Sequence, residues 1–171
     1  MPPNDAEFLE EMKRSSASDF HFFSNLGKEE RERWVVAEFL SLRAVDFSVE
    51  ELHSREQQSK VDVEFRDARF QIKEIVTPGA RRSAEVKATY QRVMAAKSLQ
   101  ETVGPGFSYD VPPVADSCEL IREKAEELAI DRRYLEVKKT LDLLFYVTRT
   151  RASHFEQGAI DAVEFASLGW R

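Results

Sequence analysis

Hydrophobic and polar residues alternate most regularly over the segment VDVEFRDARFQIKEIV, residues 61–76. In the first run, VDVEF at 61–65, valine and phenylalanine alternate with acidic residues. In the second run, FQIKEIV at 70–76, apolar residues alternate with Gln71 and Lys73. Because side chains two residues apart share one face of a strand, each run has a polar and an apolar face. We therefore predict that the two runs pair as an antiparallel β-hairpin.

The pattern elsewhere predicts helices around a buried strand. Amphipathic periodicity indicates helices at 28–43, at 83–103 and at about 115–130. The segment LDLLFYVT at 141–148 is almost continuously apolar, which is typical of a strand covered on both faces. We interpret residues 159–170 as an edge strand. The predicted fold class is α/β (α+β), with a central mixed β-sheet flanked by helices.

Length and composition favour one globular domain. The chain has 171 residues, of which 42% are hydrophobic and 33% charged. We predict a single domain over 1–171, in which residues 1–27 form an N-terminal helical extension. The sequence ends abruptly at Arg171, which suggests that the gene product continues. No apolar run reaches the ~20 residues of a membrane helix. The acidic N-terminus is no signal peptide, and Cys118 is the single cysteine, so we expect a cytoplasmic protein without membrane contact.

The net charge of −6 limits the classes of partner. A general nucleic-acid coat protein needs a broad basic surface, which this chain does not have. A nuclease is compatible with this charge, because a site that holds a divalent cation must itself be acidic. Any DNA contact would have to come from local basic clusters such as Arg81 and Arg82 with Lys87 and Arg92.

The predicted hairpin brings a carboxylate, carbonyl groups and an ammonium together, which suits metal-assisted hydrolysis of a phosphodiester. We expect Asp62 to ligate Mg²⁺ or Mn²⁺, with the Gln71 amide oxygen and a backbone carbonyl of Gln71 or Ile72 as further oxygen ligands. Lys73 would orient the attacking water or neutralise charge developing on the phosphate. The ordinary alternative is an exposed strand face with cross-strand ion pairs.

Glu38 is a further candidate, from the helix predicted at 28–43. Its neighbours on the preceding and following turns are Trp34, Val35 and Leu42, so we expect the carboxylate to face the core. A buried carboxylate needs a partner, and a metal or Lys73 would supply one. We therefore expect Glu38 to contribute to the metal site directly or through water. The alternative is a glutamate at the helix edge that pairs with an arginine.

The hairpin resembles the core of the PD-(D/E)xK nuclease superfamily, which has the restriction-endonuclease-like fold. In that pattern a strand aspartate is followed across a hairpin by an acid-x-lysine signature, and a glutamate often comes from the preceding helix. Asp62 matches the first position, and Gln71-Ile72-Lys73 matches the second as a QxK variant. The proline that precedes the aspartate in the pattern is absent. The resemblance implies a restriction-endonuclease-like domain with catalytic residues Asp62, Gln71, Lys73 and Glu38.

The wider chain is similar to an uncharacterised bacterial family of putative endonucleases, domain of unknown function 1780. The similarity rests on the block KVDVEF…FQIKEI and on LDLLFYVT, and it extends over most of the chain. It implies a Mg²⁺-dependent endonuclease that hydrolyses phosphodiester bonds in DNA.

Two other function classes stay open. The main alternative is a catalytically inactive module that keeps the nuclease fold and binds nucleic acid or a protein. A third is an enzyme of another class. Because Gln71 is neutral where the pattern has an acid, we expect metal binding to be weak. A divalent cation bound beside Asp62 would separate the nuclease from both alternatives.

Overall fold

The computed structural model divides the chain into two compact units. It describes residues 4–56, 58–79, 82–104, 113–148 and 162–171. The helical unit comprises Met1–Arg31 with Gly79–Tyr109, and the sheet unit comprises Glu32–Pro78 with Asp110–Arg171. The single domain over 1–171 stays a prediction, because compactness does not tell whether the two units fold together. No helix in the described ranges is long and apolar enough to cross a membrane.

Ten helices and strands are assigned in the described ranges. In chain order they are α1 (Asp5–Phe23), α2 (Lys28–Leu42), β1 (His53–Ser54), β2 (Val63–Phe65), β3 (Ala68–Ile75), α3 (Arg82–Ala95), α4 (Leu99–Thr102), α5 (Val114–Ile130), β4 (Asp142–Val147) and α6 (Ala162–Ser167). Single 3₁₀ turns occupy Val49–Glu51 and Lys138–Thr140. The helices predicted at 28–43 and 115–130 are confirmed within one residue at each end.

In the helical unit α1 packs against α3 and α4. The ring of Phe20 stacks on that of Tyr90, with 4.6 Å between centroids. The prediction of one uninterrupted helix over 83–103 was wrong, because α3 ends at Ala95 and α4 begins after a break. Glu101 accepts a hydrogen bond from the Lys97 N–H at 2.8 Å, which satisfies a backbone donor at the new helix start.

The sheet unit contains a four-stranded sheet in the order β1-β2-β3-β4. β1 pairs with β2, and β2 with β3, in antiparallel fashion, whereas β3 and β4 are parallel. The chain therefore has a mixed α/β fold with a mixed sheet, as predicted. Val63 pairs with Phe70 across the β2–β3 hairpin, so the predicted hairpin is confirmed. The turn is tight because Arg66 adopts a positive φ of 53°.

The two faces of this sheet bury different clusters. The α2 face joins α2 to the sheet through Val35, Val36, Leu40, Val63, Phe65, Phe70 and Ile72. The α5 face carries a second cluster of Leu128, Tyr134 and Leu141, packed with Val61, Val137, Leu143, Phe145 and Trp170. Because side chains alternate along β3, Gln71 and Lys73 lie on the α5 face, opposite Phe70 and Ile72.

The C-terminal segment differs from its prediction. Residues 162–167 form α6, so the edge strand predicted over 159–170 was wrong over this stretch, and residues 159–161 lie outside the described ranges. The sequence AVEFAS has good helix formers and lacks strand alternation. The chain leaves the helix through Gly169, which has a φ of 79° that suits a residue without a Cβ.

Candidate functional site

Asp62 lies at a bend just before β2. Its N–H donates to the Phe70 carbonyl at 2.8 Å, although Phe70 is the residue paired with Val63. Asp62 and Val63 therefore both oppose Phe70 of β3, which is the arrangement of a β-bulge. Bulges turn a side chain away from its regular direction. This one places the Asp62 carboxylate against β3.

The Asp62 carboxylate accepts hydrogen bonds from two donors of β3. Oδ2 accepts the Ile72 backbone N–H at 2.8 Å and the side-chain amide of Gln71. Asp62 is only 9% exposed and Gln71 only 3%. Buried polar groups are nearly always hydrogen-bonded, and this pair satisfies that requirement internally. The structure thus brings together Asp62, Gln71 and Ile72, but through hydrogen bonds, with the Ile72 N–H as the contacting group.

The orientation of the Gln71 amide decides whether a cation fits. Its Nε2 faces Asp62, so its oxygen is turned away from the carboxylate. Rotating the amide by half a turn would place two acceptor oxygens in contact, and a cation between them would relieve their repulsion. In the observed orientation the amide therefore offers Asp62 a hydrogen-bond donor and offers a cation no ligand. The pair fits a divalent ion only with this rotation.

Lys73 is half-buried on the same face of β3. Its Nζ lies 5.8 Å from the centroid of the Tyr134 ring, which is within the range of a cation–π contact. No carboxylate pairs with this ammonium among the residues that the structure describes. A half-buried cation without an acidic partner is available to bind an anion.

Tyr134, which sequence patterns did not single out, is held by the turn after α5. It is 4% exposed, and its N–H donates to the Asp131 carbonyl at 2.9 Å. The Asp131 carboxylate accepts hydrogen bonds from the guanidinium of Arg133 at 2.6 Å and from its N–H at 2.9 Å. These bonds, the guanidinium first, lower the pKa of Asp131 from 3.8 to about 2. The turn beneath Lys73 is thus fixed by an ionised aspartate.

Glu38 does not join this site. It is exposed, because α2 turns Val35, Val36 and Leu40 inward. That helix packs on the α2 face, opposite the face that carries Lys73. The prediction that Glu38 faces the core beside Asp62 was wrong. Of its apolar neighbours, Val35 is buried, but Trp34 and Leu42 are 49% and 84% exposed, so these two marked the wrong side of the helix.

Two other nearby acids have their own partners. Glu64 forms an ion pair with Arg55, whose hydrogen bond lowers the pKa of the Glu64 carboxyl. Glu74 accepts a hydrogen bond from the Thr148 hydroxyl. Across the described ranges, no group of three acidic, histidine or cysteine side chains is placed to hold a metal ion. One carboxylate with a neutral amide fits weak Mg²⁺ binding, in which water and substrate phosphate supply most ligands.

Comparison with known proteins bears on the fold and the family. The chain is similar to a solved structure of a protein of unknown function from Pseudomonas aeruginosa strain PAO1, which is described as a member of the monooxygenase superfamily. The two sequences are 22% identical, and the TM-score is 0.57. The similarity covers 99% of this chain and 78% of that one. At this identity the likeness concerns the fold alone. No curated protein matches the sequence.

The family assignment comes from the sequence as a whole. Residues 4–171 match the family described as "Putative endonuclease, protein of unknown function (DUF1780)". This description names an endonuclease, and it names neither a metal nor a substrate. Because the match extends over nearly the whole sequence, the chain belongs to the DUF1780 family.

Proposed function

We propose that the protein is a metal-dependent nuclease that hydrolyses phosphodiester bonds in DNA. The observation that carries the proposal is the half-buried ammonium of Lys73, which has no carboxylate partner in the described part of the chain. It lies on the face that also buries Asp62 with Gln71. The family description, which names an endonuclease, supports it. A restriction-endonuclease-like arrangement of the mixed sheet is part of the same proposal.

In this proposal each residue has a distinct role. Asp62 and Gln71 would hold Mg²⁺ or Mn²⁺, with a carbonyl of the Gln71–Ile72 edge, and the ion would supply an activated water and charge neutralisation. The Ile72 N–H keeps the Asp62 carboxylate in place. Lys73 donates to a phosphate oxygen and stabilises the negative charge that develops on it during hydrolysis.

The basic cluster predicted for DNA contact is only partly exposed to solvent, because Lys87 is exposed whereas Arg82 and Arg92 contact other groups of the helical unit. The Arg82 guanidinium lies 3.5 Å from the centroid of the Phe23 ring. The Arg92 guanidinium donates to the Thr102 carbonyl at 3.1 Å, and Arg81 lies outside the described ranges. With a net charge of −6, binding would depend on few phosphate contacts. We therefore expect modest affinity with a shallow dependence on salt.

The direct test is cleavage of single-stranded, duplex and branched DNA with Mg²⁺ or Mn²⁺. Asp62→Asn is the informative variant, because asparagine keeps an oxygen for the Ile72 N–H but loses the charge. Asp62→Ala would leave two buried donors unpaired, at a cost of about 1–3 kcal/mol each, and would confuse folding with activity. We expect cleavage that a chelator and Asp62→Asn both abolish, while Lys139→Ala at an exposed lysine changes nothing. Full cleavage by Asp62→Asn would contradict the assignment.

A catalytically inactive module is the second candidate, and one observation favours it. The Asp62 carboxylate already accepts two amide hydrogen bonds from Gln71 and Ile72, so the buried pair is stable without an ion. This candidate predicts DNA binding without turnover. Lys73→Ala would then weaken binding, whereas Asp62→Asn would leave it unchanged. Cleavage that depends on Asp62 would exclude this candidate.

A further inference from the structure

A cavity of about 310 Å³ lies beside the α5 face. Residues of β4, of α6 and of the chain end line it, namely Leu143, Phe145, Phe165, Ala166, Trp170 and Arg171. Its volume is at the lower end of the ~300–1,000 Å³ that small-molecule sites occupy. The cavity is therefore large enough for one small planar group.

The walls of this cavity suit an aromatic ligand. Phe145, Phe165 and Trp170 contribute aromatic rings, and such rings stack with any nucleobase because every base has a π-face. The segment carrying Trp170 is anchored at the next residue. The Arg171 guanidinium donates to the Asp67 carboxylate at 2.9 Å, and its N–H donates to the Leu141 carbonyl at 3.1 Å.

Trp170 also has an unused hydrogen-bond donor. Its indole Nε1 is buried and finds no acceptor among the described residues. A buried indole N–H normally has a partner, since leaving it unpaired is costly. A carbonyl oxygen or ring nitrogen of a base is an acceptor of the required kind. The aromatic walls indicate a flat ligand, and the buried indole N–H would reach an acceptor on that ligand only after a tilt of the Trp170 ring.

The cavity adjoins the candidate site. Phe145, in its wall, is the β4 residue paired with Lys73. The Tyr134 ring lies 5.7 Å from that of Trp170, and the Lys73 ammonium lies 5.8 Å from Tyr134. Lys73, Tyr134 and Trp170 thus form a continuous row. A nucleotide with its phosphate at Lys73 could extend its base along this row toward the cavity.

We propose that this cavity binds an unpaired nucleobase, so that single-stranded or locally unpaired DNA is the substrate class. The place of the phosphate at Lys73 rests on the proposed nuclease function, whereas the base pocket rests on the cavity itself. Bases within a duplex are stacked and paired, and they enter such a pocket only if they flip out. The protein is therefore expected to select unpaired strands.

Fluorescence of Trp170 provides a direct readout of base binding. The chain has two tryptophans, so Trp34→Phe leaves Trp170 as the single fluorophore. In a chelator, which prevents cleavage, a short oligothymidylate should quench this fluorescence saturably. An abasic oligomer of the same length and charge, or a duplex of equal length, should quench it little. Equal quenching by the abasic oligomer would overturn the proposal, because only phosphates would then be recognised.

Two conservative variants test the walls while preserving folding, which a melting curve checks. Phe165→Leu keeps apolar volume but loses the ring, and it should weaken oligothymidylate binding about tenfold in anisotropy measurements. Trp170→Phe keeps a ring but loses the N–H, and it should weaken binding about fivefold. Neither variant should change the affinity for the abasic oligomer. A preference for bases that survives both variants would overturn the assignment of the pocket.

The same measurements separate the two proposals. Base-dependent binding without cleavage of any DNA would support the pocket and exclude the nuclease. Cleavage with no preference for unpaired bases would support the nuclease and exclude the pocket. Lys73→Ala should weaken binding of oligothymidylate and abasic oligomer alike, since it removes the phosphate contact that both share. Loss for oligothymidylate alone would contradict the phosphate position.

Discussion

The two faces of the central sheet differ in what they bury. On the α2 face Val36 and Val63 have no exposed surface, and the whole cluster is apolar. On the α5 face Asp62 and Gln71 are buried beside hydrophobic residues, with the half-buried Lys73 close by. Burying polar groups costs free energy unless they are hydrogen-bonded. Glu32 of α2 is buried as well, but the buried polar pair of the candidate site lies on the α5 face, so we assign stability chiefly to the α2 face and chemistry to the α5 face.

The largest expected effect lies on the α2 face. Leu40 is 4% exposed, and Leu40→Ala should lower the free energy of unfolding by about 2–5 kcal/mol, because it removes buried methyl groups and leaves a cavity. Urea denaturation measures this loss. Leu42→Ala is the matched control, since Leu42 is 84% exposed at the end of the same helix. DNA affinity of the folded Leu40→Ala protein should be unchanged, and a loss there would contradict the division between the faces.

On the α5 face the corresponding variant is Lys73→Ala. It should reduce cleavage about 100-fold or more, because it removes a preorganised charge next to the phosphate. Its effect on unfolding should be small, since the ammonium has no ion-pair partner among the described residues. Rates under single-turnover conditions measure the first effect, and melting curves the second. Glu38→Gln on the opposite side of the sheet should retain full activity. Robust cleavage by Lys73→Ala would place the activity elsewhere.

Gln71→Glu tests the candidate metal site by adding a charge next to Asp62. Two buried carboxylates repel each other, so the metal-free variant should melt at a lower temperature than the wild type. Mn²⁺ should bind about tenfold more tightly and should restore the melting temperature. Calorimetry with Mn²⁺ measures the affinity. Gln58→Glu adds the same charge at an exposed position and should change neither quantity. Unchanged Mn²⁺ binding in Gln71→Glu would place the ion away from this pair.

The hairpin could be predicted because apolar and polar residues alternate over 61–65 and over 70–73. A shift of the register by one residue would expose Val63 and Phe70, so burial on the α2 face fixes the pairing. The meeting of Asp62 with Gln71 follows from that register. The bulge that aims the carboxylate at the Ile72 N–H does not follow, because nothing in the local pattern specifies an extra residue.

Other features depend on packing between distant parts of the chain. Trp34 and Leu42 suggested an inward side of α2 that included Glu38, yet they are 49% and 84% exposed. Tyr134 and Trp170 come next to Lys73 and β4 only through the folded chain, and each lies in a segment without periodicity. The aromatic part of the α5 face could therefore not be predicted from the hydrophobic pattern of the sequence.

The smallest expected effect concerns the turn that supports Tyr134. Arg133 lowers the pKa of Asp131 from 3.8 to about 2, so the folded state favours the ionised carboxyl. A group with a lowered pKa contributes stability above its unfolded pKa and loses it as the pH falls through the folded value. Arg133→Gln keeps the backbone N–H bond to Asp131 but loses the guanidinium. It should therefore melt slightly below the wild type at neutral pH, by an amount that stays constant down to about 3.8 and shrinks as the pH falls toward 2.

The matched control for that variant is Arg132→Gln, which removes the same charge from an exposed neighbour. Because exposed ion pairs contribute little, the comparison must use the difference between the two variants at each pH. High salt should reduce this difference at neutral pH, since screening weakens the attraction between Arg133 and Asp131. A difference that grew on acidification would mean that Arg133 acts through something other than the Asp131 carboxylate. That other contact is the Tyr134 ring, whose centroid lies 5.7 Å from the Arg133 guanidinium.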